Sequence, residues 1–370
     1  MTSRLLPRFS FGAFDPAAAD RPADALKIIC VLPTLNPYGG VVSVVNALNI
    51  LIDQGHHATI VSLSRHRSDL VFPKTEPIYL EDREDFPQDF TAGFDAYLAT
   101  SWETVPIVVG MAGSNPGAVT FYYVQDFEPD FYGEDEAETR QKALATYSMI
   151  DNRFVKTEHL QRKLAEHGFH ATLIPPGMNL DIFYPRSGPP STRSKRIIAM
   201  ARPTPDDHRG YEVLMEVYRR LASSHPEVEL IVFGTDDLPA PGFAVENLGR
   251  VAPSQLPDLY SSCQVFLDTS RFHGFGRTGA EALACGTAAV LSDSGGISSY
   301  ARHEQNALIV PVGDVQATVT AIEALVANPN WMDQLAANGL ETVSDLSDYV
   351  ATAAIESLLR SAISDSRSGQ

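Results

Sequence analysis

A glycine-rich loop at residues 272–286, FHGFGRTGAEALACG, has the residue types and the spacing that most clearly indicate chemistry in this sequence. It lies between two apolar stretches that predict strands, Gln264–Asp268 and Ala288–Ser292. A loop that leads from a strand into a helix presents free backbone N–H groups and the positive end of the helix dipole to an anion. Three residues without side chains would let a ligand approach this backbone closely: Gly274, Gly276 and Gly279.

A carboxylate follows the loop at Glu281, in the first turn of the expected helix. It can accept hydrogen bonds from the hydroxyl groups of a ligand, as the acidic residue of a dinucleotide site does with ribose. We therefore predict a nucleoside-diphosphate site in which the amides of Gly276, Arg277 and Thr278 bind phosphate and Glu281 binds ribose.

The elements that must position these residues alternate between apolar strands and helices. A strand at Lys27–Leu32, a helix at Val41–Asp53 and a strand at His57–Leu63 predict a βαβ unit, which implies a parallel sheet. A second βα series begins at Arg196–Met200, after a polar linker at residues 186–195. Because ligands of such sheets bind at the carboxyl ends of the strands, we expect one cleft between two halves.

The glycine-rich loop also resembles a family signature. The string FHGFGRTGAEALACGTAAVLSDSGGI is similar to the donor-sugar signature of the retaining glycosyltransferases of family 4, the group 1 glycosyltransferases. The pattern is shared at Gly274, Phe275, Gly276, Glu281, Ala282, Ala284, Gly286, Gly295 and Gly296. The sequence departs from the pattern at His273 and Ser299, where the family has glutamates, and at Ala288, where it has proline.

This resemblance covers residues 27–365 and implies the GT-B fold, an α/β architecture of two Rossmann-like domains whose parallel sheets face across a cleft. It implies four segments: an N-terminal extension at residues 1–24, an acceptor domain at 25–185, a nucleotide-sugar domain at 186–345, and a C-terminal helix at 346–370 that packs back onto the first domain.

Two motifs in the first half resemble parts of the same family. PYGGVVSVVNAL is similar to its first glycine loop, in which amides at Gly39 and Gly40 face an anion or a sugar; a plain turn is the alternative. YYVQDFEP resembles a branch that includes bacterial rhamnosyltransferases. Because Gln125 cannot titrate, we expect it to orient the sugar beside Asp126, and the alternative is a loop capped by Asp126.

Two motifs in the second half would hold the rest of the donor. MARPTPDDHRGYEVL resembles the segment that binds the donor diphosphate, with Arg202 and Arg209 in the positions of its cations. Arginine suits this task because its fork of donors matches phosphate oxygens. The string ENLGRVAPSQLPDLY resembles the segment whose backbone hydrogen-bonds the base, at Arg250 and Val251.

The expected chemistry is a retaining transfer in which the acceptor hydroxyl attacks from the side of the leaving diphosphate. The protein then mainly stabilises charge and orients the sugar. No DxD or clustered His and Cys ligands occur in the sequence, so we predict no metal, no cofactor and insensitivity to chelators. His273 can donate one hydrogen bond and accept one. It suits a donor sugar with fewer hydroxyls, such as a deoxy sugar; the alternative is a binding protein without catalysis.

The composition limits the partners. The formal net charge of −18 argues against nucleic acid. No apolar run of bilayer length and no signal-peptide pattern occur, and the three cysteines follow no metal or redox spacing, so a cytoplasmic protein with buried free thiols is expected. Arg4 and Arg8, among Leu and Phe residues, are the best candidates for a peripheral contact with the inner membrane face or a partner, but a tail that packs on the first domain is favoured.

These observations predict a glycosyltransferase that moves a hexose or deoxyhexose, with dTDP-rhamnose weakly favoured, to a hydroxyl of a glycan or glycolipid in surface polysaccharide assembly. One alternative is a nucleotide-sugar epimerase of the same fold, although that chemistry needs titrating groups and Gln125 is not one. Another is a catalytically silent binder. An NAD enzyme is disfavoured because no G-x-G-x-x-G with a following acidic residue occurs after the first strand. The acceptor, the linkage and the oligomeric state stay open.

Overall fold

The computed structural model describes residues 25–80, 93–113, 115, 117–203 and 208–368 of the 370-residue chain. The expected N-terminal extension lies outside these residues. So does the apolar and basic contact predicted around Arg4 and Arg8.

The first half of the chain forms a seven-stranded parallel sheet with the strand order β3-β2-β1-β4-β5-β6-β7. Its elements are β1 (Lys27–Leu32), α1 (Gly39–Asp53), β2 (His57–Ser62), β3 (Ile78–Tyr79), β4 (Ala96–Ala99), α2 (Val105–Ala112), β5 (Val119–Tyr123), α3 (Ala137–Thr146), β6 (Asn152–Val155), α4 (Glu158–Glu166) and β7 (Thr172–Leu173). The central strands are covered on both faces, which is why they consist of nearly continuous apolar residues.

The second half forms a six-stranded parallel sheet with the order β10-β9-β8-β11-β12-β13. Its elements are β8 (Arg196–Met200), α5 (Tyr211–Ser224), β9 (Glu229–Phe233), β10 (Glu246–Asn247), α6 (Leu256–Ser262), β11 (Val265–Asp268), α7 (Arg277–Ala284), β12 (Ala288–Ser292), β13 (Leu308–Val310), α8 (Val315–Ala327), α9 (Pro329–Val343) and α10 (Asp348–Ser368).

Both strand orders confirm the prediction of two Rossmann-like α/β units. In each sheet the order reverses between two central neighbours, β1 and β4 in the first and β8 and β11 in the second. Such a reversal opens a crevice at the carboxyl ends of the two strands, where ligands bind. The predicted phosphate-binding segments follow β8 and β11, so the topology itself brings them together.

The last helix returns to the first sheet. Ile355, Leu359 and Ile363 of α10 belong to the same apolar core as the residues of β1 and α1. The ring of His56 lies 3.2 Å from the carboxylate of Glu356, also on α10. This packing holds α10 against the first sheet, so the residues between α9 and α10 connect the second half of the chain back to the first.

Two further expectations concern thiols and membranes. Cys30, Cys263 and Cys285 are buried and free, as predicted, and burial raises the pKa of all three thiols, to about 12 for Cys285. Such thiols are poor nucleophiles near neutral pH. Among the helices that the structure describes, none has the length and apolar character needed to cross a bilayer.

Candidate functional site

The glycine loop of the second sheet lies directly against the first. A Cβ added at Gly274 would overlap the carbonyl oxygen of Gln125 and lie 2.7 Å from Oδ1 of Asp126. The Thr157 hydroxyl, from the first half, donates a 2.9 Å hydrogen bond to the Gly274 carbonyl. The two halves are therefore in direct contact at this loop, and glycine is the residue that permits the contact.

Arg202 and Arg209 form a local concentration of positive charge beside this contact. Arg202 follows β8 and its guanidinium lies 5.5 Å from the ring centroid of Tyr38, across the cleft. Burial, and then the charge of Arg209, lowers the pKa of Arg202 to about 10. Among the described residues neither arginine has a carboxylate partner, and Nε of Arg209 is buried without a hydrogen-bond partner. Two such cations are typical of a site for an anion.

His273 connects Arg209 to a buried carboxylate. Its Nε2 lies 2.8 Å from Oδ2 of Asp268, at the end of β11, and its Nδ1 lies 2.6 Å from Nη1 of Arg209. Burial alone would raise the pKa of Asp268, but hydrogen bonds from His273 and Ser270 help to hold it well below its usual range. Asp268 is therefore ionised, and both ring nitrogens of His273 are engaged by protein groups.

Glu281 is occupied by an ion pair that the sequence did not reveal. Its Oε1 lies 2.7 Å from Nε of Arg277, one helical turn earlier on α7. Arg277 also donates through Nη1 to the Ser43 hydroxyl of α1, at 3.0 Å. Burial raises the pKa of Glu281, and Arg277 partly offsets this effect. The Arg277 side chain thus links the two halves, whereas only its amide had been expected to act.

Alanine at Glu281 is expected to destabilise the protein as well as to disturb any ribose contact. Both partners are nearly buried, so removing the carboxylate leaves an unpaired cation and should cost about 3 kcal/mol of unfolding free energy. Urea denaturation measures this cost. The matched control removes both partners: the Arg277→Ala, Glu281→Ala double variant should lose less than the sum of the single losses. Strictly additive losses would contradict the coupling.

The side-chain amide of Gln125 has a hydrogen-bond partner for its oxygen but none for its nitrogen. Its Oε1 accepts a 2.6 Å hydrogen bond from Nζ of Lys156, so Nε2 is a donor, and that nitrogen is buried without a partner. Burial, and then the charge of Arg277, lowers the pKa of Lys156 to about 8. Sequence reasoning missed Lys156, although its place directly after β6, at the carboxyl end of a strand, was a usable signal.

Glu128, in the same motif as Gln125, has a buried carboxyl group that accepts hydrogen bonds near the carboxyl ends of β4 and β5. Its Oε2 accepts hydrogen bonds from the Trp102 amide, at 2.8 Å, and from the Tyr122 hydroxyl. Burial raises the pKa of Glu128 to about 8. The group therefore holds a proton over a pH range in which an exposed glutamate would not.

This raised pKa predicts a pH-dependent stability difference. The folded protein binds the Glu128 proton up to about pH 8, whereas the unfolded chain binds it only up to about pH 4.5. The bound proton therefore stabilises the folded state at low pH, and this contribution to the free energy of unfolding is lost as pH rises from about 4.5 to about 8. Glu128→Gln, which stays neutral, should gain about 5 kcal/mol of unfolding free energy relative to wild type between pH 4.5 and 8.5, from about 1.4 kcal/mol for each unit of the pKa shift. Urea denaturation at both pH values tests this. A difference that does not change with pH would contradict it.

Gly39, Gly40 and Phe275 were also predicted to belong to the site, and they have different surroundings in the structure. Gly39 and Gly40 lie in the first turn of α1 rather than before it, and added Cβ atoms would lie 3.7 Å from Arg277 and 3.2 Å from Gln125. Phe275 is buried in the second core, 5.4 Å from the ring of Tyr300. Its side chain therefore packs in this core, and its predicted contact with the donor stays a prediction. The predicted N-terminal glycine loop thus faces the predicted donor loop.

Arg250 and Val251 lie beyond β10, at the edge of the second sheet. The backbone N–H of Arg250 donates to Oδ1 of Asp236 at 2.9 Å, and its guanidinium pairs with Oδ2 at 2.6 Å. This amide is therefore used within the protein. A base bound here would meet the Arg250 carbonyl or the backbone of Val251 instead.

Comparison with known proteins agrees with this architecture. The sequence pattern of the family described as Glycosyl transferases group 1 matches residues 194–328. These residues contain β8, the two arginines, the glycine loop and Glu281. Residues 194–328 form a group 1 glycosyltransferase domain. The resemblance inferred from the glycine loop is thereby confirmed, whereas the rhamnosyltransferase branch stays a prediction.

Curated relatives match part of this chain at low identity. Mannosylfructose-phosphate synthase of Agrobacterium fabrum is 29% identical over 36% of this chain and 36% of its own length. The lipopolysaccharide core biosynthesis mannosyltransferase LpsB of Rhizobium meliloti is 28% identical over 37% of this chain and 43% of its own length. The chain thus spans less than half of either relative.

Solved structures share the fold over most of the chain. The Anabaena protein Alr3699/HepE, solved with UDP and glucose, superposes with a TM-score of 0.76 at 16% identity and covers 91% of this chain and 100% of its own. Sucrose-phosphate synthase of Thermosynechococcus elongatus superposes with a TM-score of 0.74 at 19% identity, covering 92% and 100%. The GT-B fold that was expected around the glycosyltransferase domain is confirmed.

Proposed function

We propose that this protein is a glycosyltransferase that moves a hexose or deoxyhexose from a nucleotide-diphosphate sugar to a hydroxyl of a glycan or glycolipid. The observation that carries the proposal is the pair Arg202 and Arg209, two clustered cations without carboxylate partners among the described residues, of which Arg209 contacts His273 in the loop before α7. In a chain of net charge −18, such a pair indicates an anionic ligand.

The diphosphate would lie between these arginines and the amides of Gly276, Arg277 and Thr278. Guanidinium groups and helix N-terminal amides both stabilise phosphate charge. Arg209 contacts His273, which lies four residues before α7. Glu281 would accept from the ribose with the oxygen that Arg277 leaves available.

The sugar would lie toward the first half of the chain. The buried and unpaired Nε2 of Gln125 is a donor that a sugar oxygen would satisfy, with Asp126 beside it as an acceptor. Because Oε1 is occupied by Lys156, Nε2 is the atom of Gln125 that would donate to the sugar. The glycines at the start of α1 let the side chains of Arg277 and Gln125 pack closely against this backbone.

The reaction requires little covalent chemistry from the protein. The bond from the anomeric carbon to the diphosphate breaks, the acceptor hydroxyl forms the new bond on the same face, and an oxygen of the leaving phosphate takes the hydroxyl proton. Charge develops on the leaving phosphate, where the arginines and amides act. This retaining scheme needs no metal, so EDTA should leave the rate unchanged, and a loss of activity in EDTA would contradict metal independence.

A donor panel tests the proposal. Thermal unfolding should be measured with UDP-glucose, GDP-mannose and dTDP-rhamnose, since two relatives are named for mannosyl products or transfer and the Gln125 motif favours rhamnose. A stabilisation by one donor class, followed by transfer of its radiolabelled sugar to a glycan or lipid fraction, would support the proposal. Binding without hydrolysis or transfer would support the silent binder, and interconversion of the free donor would support the epimerase.

A further inference from the structure

The two ring nitrogens of His273 have different partners of opposite charge. Oδ2 of Asp268 lies 2.8 Å from Nε2, and Nη1 of Arg209 lies 2.6 Å from Nδ1. Arginine has only donors, and an ionised carboxylate has only acceptors. The contacts are therefore compatible with one state of the ring, a neutral imidazole with its proton on Nε2 and a lone pair on Nδ1.

The backbone holds this ring in place. The His273 amide donates to the Ser294 carbonyl at 2.9 Å, and the His273 carbonyl accepts from the Gly296 amide at 3.0 Å. Among the residues that the structure describes, the charged groups in contact with the ring are Asp268 from the end of β11 and Arg209 from the loop before α5. With both nitrogens engaged and the backbone fixed on both sides, the ring has no polar atom left for a sugar hydroxyl.

We propose that His273 is a positioning residue, which Asp268 holds in the Nε2–H tautomer so that Nδ1 fixes the guanidinium of Arg209 toward the anion in the cleft. The inference rests on the proposed function only for the identity of that anion. It assigns His273 a role different from the sugar contact expected from the sequence.

A physical advantage follows from the use of an imidazole. A carboxylate in direct contact with Arg209 would pair with its charge and compete with a phosphate. A neutral acceptor orients the same guanidinium and leaves its full charge for the ligand. The anionic partner of this arrangement, Asp268, lies on the far side of the ring.

Anion binding tests the arrangement with inorganic pyrophosphate as the probe, measured by calorimetry at neutral pH. The His273→Ala variant should bind it about tenfold more weakly, because Arg209 loses one charge-assisted hydrogen bond. The same substitution made in an Arg209→Ala background should have no further effect. An equal loss in both backgrounds would overturn the proposal, and so would absence of pyrophosphate binding by the wild-type protein.

Two conservative variants separate positioning from general packing. Asparagine at residue 273 places an acceptor near the position of Nδ1, whereas glutamine places its polar group near the position of Nε2. His273→Asn should therefore keep most of the pyrophosphate affinity and His273→Gln should lose it. The reverse order would overturn the proposal.

The tautomer provides a readout that a merely structural histidine would not give. In the ¹⁵N-histidine spectrum of the full chain, Nδ1 of His273 should have the shift of an unprotonated nitrogen and Nε2 that of a protonated one. Asp268→Asn, whose amide can either accept from or donate to Nε2, no longer fixes the proton there, so the shifts of the two ring nitrogens should move toward each other. A wild-type ring protonated on Nδ1 would overturn the assignment.

The outcomes distinguish this inference from the proposed function. Pyrophosphate binding that depends on His273, with no turnover of any sugar donor, would sink the glycosyltransferase proposal and leave the positioning role intact. Glycosyl transfer together with pyrophosphate binding that ignores His273 would do the opposite.

Discussion

Replacing Arg209 by alanine is expected to lower kcat by about 100- to 1,000-fold, with a smaller effect on acceptor KM. The reason is that the guanidinium has no carboxylate partner among the described residues, so in the proposed reaction its charge would be available to the leaving diphosphate. This charge would be most valuable when the bond to the sugar breaks, and it would therefore act on the transition state more than on the bound donor.

Initial rates with saturating donor measure this effect. Arg219→Ala is a matched control, because Arg219 lies on α5 in an exposed pair with Glu216 and should tolerate removal with little change in rate. Arg209→Lys should recover part of the activity, since it keeps the charge and loses the planar fork. Turnover of Arg209→Ala within twofold of wild type would remove Arg209 from the leaving-group site.

Gly274→Ala is expected to abolish the closed arrangement of the two halves and nearly all transfer activity. The new methyl group would overlap the Gln125 carbonyl oxygen and lie 2.7 Å from Asp126, both in the other half of the chain. Neither backbone can move away while the two halves stay in contact. The substitution should therefore separate the donor loop from Gln125, and it should leave the interior of each half intact.

Transfer assays and small-angle X-ray scattering with donor present test this together. The variant should lose activity at least 100-fold, because reacting groups displaced by about an ångström lose that much. It should also have a larger radius of gyration than wild type. Gly110→Ala is the control, since an added Cβ there meets nothing within 4 Å. A closed and active Gly274→Ala protein would mean that this contact is not part of the working conformation.

The fold was largely predictable because parallel strands buried on both faces are short, continuous apolar runs. The strands at Lys27–Leu32, Arg196–Met200 and Ala288–Ser292 have the predicted bounds. Helix α2, Val105–Ala112, was not predicted, since its uniformly apolar sequence has no helical periodicity. Strand β10 has only two residues, and its pairing with β9 is visible only in the assembled sheet.

The candidate site was predictable in its location and less so in its contacts. Arg202, Arg209 and Gln125 were expected in one cleft because each follows or precedes an element at the carboxyl edge of a sheet. Lys156 also follows a strand at the carboxyl edge of a sheet, but it belongs to no recognisable motif, and the sequence analysis missed it. The assignment of each predicted residue to a phosphate, a ribose or a sugar stays a prediction that the experiments above address.

The sequence by itself determined the fold class, the two βα series and the segments that supply the anion site, because these depend on local periodicity and on spacing within one loop. The tertiary structure decided which polar side-chain atoms of these segments are paired within the protein and which are available to a ligand. The pairing of Gln125 with Lys156, of Arg277 with Ser43 and of His273 with Arg209 joins residues 31, 234 and 64 positions apart. Contacts at such separations depend on how strands and helices pack, and no local pattern encodes them.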